Sequence, residues 1–535
     1  MKLRNLLTTL EKDNELVRIQ KEVSTKYEIA NIIYSLNEKP VLFDNVKGYP
    51  FKIFGGITSN RDIISKGIDT TKDKLLEKMV DALRKPVEPS IVSNAPCQDV
   101  VIKEPDLSKI PLLFHLEGDG GRYGSATVAT IKDPETGRNA CYHRIMEVGK
   151  NRLTARLIKK RQTRTTYDKT DDDLEMAVCV GNSTAVMIAA SLGPPSGVDE
   201  FSIANALDET KMVKCVTKDL EVPAESEFVF EGRLIKEVDR EGPFVDLTET
   251  RDFERQEPVF VVDCITHRKD AIYQALIPGR LEHKMLMGMP KEPTIYDEVS
   301  KVVDCKNVLV TIGGGSWLHG IVQIRKKNPD DGKKAIEAAF NGHKSMKHVV
   351  IIDEDIDIYS PSAVEWAIAT RFQGDTDMIV NINQPGSSLD PSGRHEPGKK
   401  TLTTKIGFDA TTGSGDDRGI EVALLPYQGE EKRRGKIFAL RHLVHPLPVR
   451  PGIEKLEVRP LYCLRFPLYI EIHQSNRVKV FAPVVEKQRS IEEPLRRNRT
   501  PLRTQQLNAP VMQSVVEIPE DYFGRHILQL LMISG

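Results

Sequence analysis

The sequence predicts an α/β (α+β) fold in three successive parts, on three observations. Residues 1 to about 110 alternate helix and strand signals. Residues from about 111 to 320 switch to short strands punctuated by Gly, Pro and Asp, the spacing of a β-barrel or β-sandwich core. From about 321 to 425 the helix–strand alternation returns. The remainder, 426–535, reads as a basic, proline-interrupted tail.

In the first part, residues 3–10 form a helix and 15–20 alternate as a strand. Thr25-x-x-Glu28 is a capping box ahead of an apolar-periodic helix over 29–36. Strands at 41–44 and 51–54 flank the turn Lys47-Gly-Tyr-Pro50. An amphipathic helix over 70–84 ends before Pro86 and Pro89. The central part has strands near 126–131, 141–148, 152–158, 228–230, 259–266 and 270–276, with a helix at 201–207. The third part has helices over 331–341 and, after Pro361, over 362–371, and strands at 348–352 and 378–382. In the tail, Lys432-Arg-Arg434, Arg496-Arg-x-Arg499 and Arg503 read as a solvated or partly disordered extension, or alternatively as a polyanion-binding segment, and the tail is a candidate for oligomerisation.

Composition narrows the class. Hydrophobic residues make up 39% and charged residues 29%, ordinary for a globular protein. A net charge of −1 gives no electrostatic case for nucleic acid as the main partner. The seven cysteines are scattered without a Cys-x-x-Cys pair, which argues against a disulfide framework or thiolate zinc site and for a reducing cytoplasm. The most membrane-like run, 176–193, is interrupted by Asn182, Ser183 and Thr184, so no membrane span is expected.

The stretch with most chemical content runs from Asp133 to Val148. Pro134 and Gly137 set a turn, and a strand follows in which Asn139, Cys141 and His143 alternate with Tyr142 and Arg144. Taken alone, Arg144 reads as an edge-strand arginine. Ser191-Leu-Gly-Pro-Pro-Ser-Gly-Val-Asp-Glu200 is a Gly/Pro-rich loop after an apolar strand. It is either a turn with Asp199 or Glu200 capping a helix, or a cradle for a flat or phosphorylated ligand with Glu200 as a hard-metal ligand. In Glu241-Gly-Pro-Phe-Val-Asp246, two carboxylates across a Gly-Pro turn can converge on one cavity, or simply mark a surface turn. Lys405 can pair with phosphate or lie exposed. Ile312-Gly-Gly-Gly-Ser316 matches no nucleotide-binding pattern, and Asp353-Glu-Asp-Ile-Asp357 lacks the glycine of an EF-hand loop. One arginine, a few carboxylates, an asparagine and a lysine suit binding a carboxylate and moving a proton. They provide no electron sink, so carbanion chemistry requires a cofactor.

Read together, Leu16-Val-Arg-Ile19, Asp119-Gly-Gly-x-Tyr123, Lys132-Asp-Pro-Glu-Thr-Gly-Arg-Asn139, Val222-Pro-Ala-x-Ser-Glu227, Glu231-Gly232, Glu241-Gly-Pro-Phe244 and Val350-Ile-Ile-Asp-Glu-Asp-Ile-Asp357 resemble the UbiD family of reversible decarboxylases. The resemblance implies a prenylated-FMN-dependent carboxy-lyase acting on an aromatic or α,β-unsaturated carboxylic acid, in either direction. It also implies an N-terminal α/β region (1–110), a central split β-barrel that binds the flavin (111–320) and a C-terminal α/β domain (321–425). Arg144 takes the position of the catalytic arginine, Glu241 of its partner and Asp246 of the mobile acid. Asn139 and Glu200 match metal ligands for Mn2+ or Mg2+, with K+ as a further ion. Cys141, Tyr142, His143, Arg161, Gln162, Ser191, Leu192 and Lys405 fall at cofactor positions. Where the family often carries a histidine metal ligand this sequence has Gln162, whose neutral amide is a weaker ligand. Implied partners are a flavin prenyltransferase as cofactor supplier and further copies of the chain, as a dimer or hexamer. The alternative motivated by Gln162 is a non-catalytic subunit of a multi-subunit aryl carboxylase.

Overall fold

In the computed structural model, the described residues are 1–412, apart from 160 and 397–398, together with three short strands, Tyr469–Ile472, Val478–Phe481 and Val516–Ile518. The chain divides into two units, Met1–Glu421 and Val422–Gly535. In the second, the three strands form one antiparallel sheet. The basic clusters of the predicted tail lie outside the described residues.

Leu3–Lys12 is helical because Leu3, Leu6, Leu7 and Leu10 recur at helical spacing and are all buried. They pack on Phe54, Ile57 and Ile63. The Glu28–Ser35 helix is entered differently from the predicted capping box. Glu28 reaches back to the Ser24 N–H at 2.9 Å, and Tyr27, at φ 66°, makes the corner without a side-chain cap. A four-stranded sheet runs Val17–Ile19, Val41–Phe43, Lys52–Gly55, Ile272–Gln274. Its last strand, which the spacing groups with the central strands, lies parallel to Lys52–Gly55 instead. The predicted 70–84 helix begins as a 3₁₀ turn at Lys72–Lys74 and is α-helical over Leu75–Arg84.

The central sheet runs Tyr123–Gly124, Ile145–Gly149, Arg152–Ala155, Arg255–His267, Phe228–Glu241, Leu174–Val180, Thr127–Asp133, Gly137–Tyr142, with Val100–Ile102 added to Arg255–His267. The predicted strand over 141–148 is therefore two strands, Gly137–Tyr142 and Ile145–Gly149, six places apart in that order. In a flat sheet they would be roughly 29 Å apart. The three peptide steps from Tyr142 to Ile145 span at most about 11 Å. The sheet must therefore roll until its ends meet, around Met176, Val178, Phe228, Phe230, Phe260 and Val262. No ladder joins the two ends, so the barrel is open along one seam, and His143 and Arg144 cross it. Strand Phe228–Glu241 bends at a bulge where Gly232 lies against Arg255–His267, and a Cβ there would sit 2.0 Å from the Val261 carbonyl oxygen.

The third part is a five-stranded sheet, Asp304–Val310, His319–Arg325, His348–Asp353, Leu402–Ala410, Met378–Pro385, with helices Asp331–Gly342 and Pro361–Arg371. Among the described residues, no helix is long and apolar enough to cross a membrane.

Candidate active site

Arg144 lies at the seam of the rolled sheet. Because it links two strands, its guanidinium turns inward rather than onto a solvated edge, and its side chain is only 11% exposed. Nε and Nη2 donate to the fully buried Glu241 carboxylate at 2.8 and 2.9 Å. Nη2 also donates to Asp252 at 2.9 Å. Nη1 makes no hydrogen bond among the described residues, and Asp246 Oδ2 lies 3.6 Å from it. The Phe244 ring covers one face of the guanidinium, with its centroid 4.7 Å away. Arg144 thus presents a charged edge toward Asp246, with the rest of the group held by protein.

The two motifs around it have packing reasons. Tyr123 donates to Glu241 at 3.2 Å and accepts from the Gly242 N–H at 3.0 Å. Gly120 donates to the Pro243 carbonyl at 2.8 Å, and a Cβ on it would fall 1.9 Å from the Gly242 oxygen. Asp119-Gly-Gly-x-Tyr123 is therefore the floor on which the Glu241-Gly-Pro-Phe244 corner rests.

Three residues here were not singled out from the sequence. Asp252 bridges Arg144 and Arg255. Burial opposes its charge, but the Arg255 hydrogen bond and both guanidinium charges hold its carboxyl down at about 2. Asp252-x-x-Arg255 was visible as an opposite-charge pair, but nothing tied it to Arg144. His283, on helix Leu281–Gly288, has its pKa pulled down by burial, with the Asp246 charge opposing. Its Nδ1 accepts the Gly279 N–H at 2.9 Å, so the neutral ring carries its proton on Nε2, a donor with no acceptor among the described residues. Lys291 is described below.

On the other flank, Asp199 caps helix Glu200–Leu207 by accepting from Phe201 N at 3.0 Å, which frees Glu200 to turn inward. Glu200 accepts from Asn139 Nδ2 at 2.9 Å and Ala140 N at 2.8 Å, and burial pushes its carboxyl up to about 8. Gln162 does not join them. It opens helix Gln162–Lys169 and donates to Thr136 Oγ1 at 2.8 Å. Asn139 and Glu200 are thus brought together with the amide NH2 of Asn139 on the carboxylate, and the predicted third ligand points elsewhere. Among the described residues, no three His, Cys, Asp or Glu side chains gather as a metal site.

His143, expected at the cofactor, has both ring nitrogens bound to protein. Nδ1 meets the Arg156 carbonyl at 3.0 Å, and Nε2 meets Thr163 Oγ1 at 3.0 Å and Cys141 Sγ at 3.2 Å. Burial holds it neutral, its pKa down at about 4. His143 and Cys141 therefore pin the seam, and burial also raises the Cys141 thiol. Tyr142 packs against two core clusters.

The Gly/Pro-rich loop follows a helix, Thr184–Leu192, rather than a strand, and Gly193 ends that helix at φ 61°. Ser191 and Leu192 offer their carbonyl oxygens to Lys291 Nζ at 3.2 and 2.9 Å. Burial, with the Arg161 charge next, brings Lys291 down to about 8. Lys405 donates to the Lys344 carbonyl at 2.8 Å and is also lowered by burial to about 8. Lys291, Lys405 and Arg161 all act electrostatically on buried His343, holding it neutral behind the larger effect of burial. Among the described residues, none of the three has a carboxylate within ion-pair distance. Lys405 is buried, Lys291 half-buried and Arg161 exposed; the two less exposed cations are costly without an anion, so the cluster fits the phosphate of a flavin nucleotide.

Comparison with known proteins gives the same architecture. Models of the 3-octaprenyl-4-hydroxybenzoate carboxy-lyase (UbiD) N-terminal, Rift-related and C-terminal domains match residues 7–83, 90–281 and 284–410. The chain is similar to anhydromevalonate phosphate decarboxylases of Methanothermobacter thermautotrophicus (38% identity over 417 residues, 76% of this chain and 96% of the relative) and Methanosarcina mazei (39% over 432 residues, 80% and 100%). Among solved structures, the UbiD-class enzyme HmfF from Pelotomaculum thermopropionicum in complex with FMN superposes with TM-score 0.77 at 33% identity, covering 80% of this chain and 98% of that one. An evolved dimeric form of HmfF in complex with prFMN gives TM-score 0.73 at 33% identity, covering 81% and 98%.

Proposed function

Because the chain belongs to the UbiD family of carboxy-lyases, we propose that it removes CO2 from a phosphorylated α,β-unsaturated acid of the anhydromevalonate phosphate class, with prenylated FMN as cofactor. The observation that carries the reading is Arg144, locked on one side by Glu241 and Asp252 and open on its Nη1 edge beside Asp246. The relatives' substrate favours the unsaturated-acid branch of the family over the aromatic one.

Arg144 orients the substrate carboxylate through Nη1, and the Glu241 contact keeps it from following the departing CO2. Prenylated FMN, when bound, supplies the electron sink that the side chains lack. Asp246 delivers a proton to the carbon that carried the carboxylate and recovers one from solvent. His283 Nε2–H faces the same space and can hold a substrate oxygen or the Asp246 carboxylate. Lys291, Lys405 and Arg161 would hold the flavin phosphate, and Asn139 and Glu200 would serve a metal ion accompanying it.

A second reading, an inactive subunit, has Gln162 in its favour, since its amide is turned toward Thr136. Flavin co-purifying after co-expression with a flavin prenyltransferase supports the enzyme, and its absence supports the subunit. The decisive test is Asp246→Asn in flavin-loaded protein. Alkenyl phosphate formation from anhydromevalonate phosphate and hydrogen–deuterium exchange at the reacting carbon should both be lost. Persistence of both removes Asp246 from its role.

A further inference from the structure

On the far side of the turn that carries Asp246, two cations converge on one carboxylate. Glu249 accepts from Arg280 Nη1 at 2.9 Å and from Lys284 Nζ. Arg280 and Lys284 are one helical turn apart and therefore share a face of the Leu281–Gly288 segment. Lys284 has a side chain only 10% exposed, and the Arg280 guanidinium stacks over the Tyr34 ring at 4.6 Å. The first N–H groups of this helix, Leu281 and Glu282, already donate to Glu38 at 2.7 and 2.9 Å. Any attraction for an anion here therefore comes from the two side chains.

Glu249 is held less firmly than its partners. It is at φ 61°, a left-handed conformation costly for a glutamate, and its side chain is 45% exposed. Its N–H donates to Asp246 O at 2.8 Å, closing a turn in which Asp246 and Glu249 are first and last residues. Thr248 and Thr250, whose hydroxyls are 2.8 Å apart, flank it. Gly315 approaches Leu247 and Thr248, and the position a Cβ would take on Gly313 is open space. The turn packs on Gly279, where a Cβ would fall 2.8 Å from the Asp246 oxygen, and so it is fixed against the segment that carries His283, Arg280 and Lys284.

We infer that Arg280 and Lys284 form the binding site for the substrate's phosphate, with Glu249 occupying their donors until substrate arrives. This rests on the proposed substrate class and assigns its tail to named residues. Glu38, which also feels the Arg280 and Lys284 charges, caps the same segment, so with Glu249 swung into solvent the two cations against Glu38 leave a net positive charge that a phosphate monoester complements. The geometry suits a short substrate. First and last residues of such a turn have Cα atoms within about 7 Å. A six-carbon acid with a five-carbon main chain and phosphate at its far end has a comparable reach, so its carboxylate can meet Arg144 while its phosphate meets Lys284. Aromatic acids without a phosphate would leave the pair unused.

The test compares anhydromevalonate phosphate with phosphate-free anhydromevalonate, using flavin-loaded wild type, Lys284→Met, Arg280→Met and Glu249→Gln. The ratio of kcat/KM for the phosphorylated over the phosphate-free acid should fall roughly 10- to 100-fold in each cation variant. The effect should be chiefly in KM for the phosphorylated acid. Glu249→Gln should lower that KM, because the competing charge is gone, and it guards against misfolding of the Lys284 variant. If wild type prefers the phosphorylated acid and the ratio survives in both cation variants, the siting is wrong while the substrate class stands. If wild type does not discriminate, both fall.

Discussion

Glu241→Gln tests the idea that Glu241 acts only by holding Arg144. The amide keeps nearly the same shape but loses the charge, and its NH2 would face a guanidinium N–H. At least one of the hydrogen bonds at 2.8 and 2.9 Å is lost, in a place where the glutamate is fully buried. Removing one member of a buried ion pair costs roughly 3–5 kcal/mol. Asp252, at 2.9 Å from Nη2, remains, which argues for the lower end, about 3 kcal/mol of stability. A guanidinium drawn about 1 Å toward Asp252 should lower turnover roughly 100-fold, equivalent to about 2.7 kcal/mol of barrier. The assay is CO2 release by flavin-loaded protein in a double-mutant cycle with Arg144→Lys, which keeps the charge but has no fork to be oriented. In the lysine background Glu241→Gln should cost less than about threefold, a coupling of roughly 2 kcal/mol. A full 100-fold loss in both backgrounds would falsify the holding role and make Glu241 a direct participant. No loss in wild type would show that Asp252 alone suffices.

Much of this site was legible in the sequence, and the failures have a common cause. Asn139, Arg144, Glu200, Glu241 and Asp246 could be singled out because each lies in a long stretch whose spacing is constrained by local packing, as Gly120 beneath Gly242 shows. Arg144 was nevertheless placed on a continuous strand. No Gly or Pro interrupts residues 141–148, and only the two different pairing partners, Thr127–Asp133 for one half and Arg152–Ala155 for the other, divide them. Pairing of this kind is long-range and leaves no local mark. Lys291 and His283 were missed for the complementary reason. A lysine between two prolines reads as exposed, and a histidine in a short helix reads as ordinary, until packing half-buries both. Gln162 was legible as a departure, whereas its hydrogen bond to Thr136 depends on where the helix starts.

Two further perturbations probe the frame. Glu282, fully buried and accepting from Gly56 N, Thr58 N and Thr58 Oγ1 at 2.7, 3.0 and 2.9 Å, has its carboxyl pushed up to about 7 by burial, against those hydrogen bonds. The folded protein therefore binds more protons than the unfolded chain between about pH 4.5 and 7. Stability should be greatest below that window and fall by up to about 3 kcal/mol as pH rises through it. Denaturant unfolding of wild type and Glu282→Gln across pH 4.5–8 checks this, and equal slopes would exclude Glu282 as the source. The second perturbation is Gly120→Ala, paired with Gly137→Ala. Gly137, at φ +84° with nothing within 4 Å of its Cβ position, should lose about 1 kcal/mol to backbone strain and keep its turnover. At Gly120 the added methyl meets the Gly242 carbonyl at 1.9 Å and Met146 Sδ at 3.0 Å, and a backbone oxygen cannot rotate away as a side chain can. The corner must shift, and Glu241 is its next residue, so the displacement reaches Arg144 without either residue being changed. Gly120→Ala should cost about 2–3 kcal/mol of stability and lower turnover well beyond what Gly137→Ala does. Wild-type turnover in Gly120→Ala would mean that the corner gives way without moving Glu241, and that the Asp119-Gly-Gly-x-Tyr123 floor does not position the arginine.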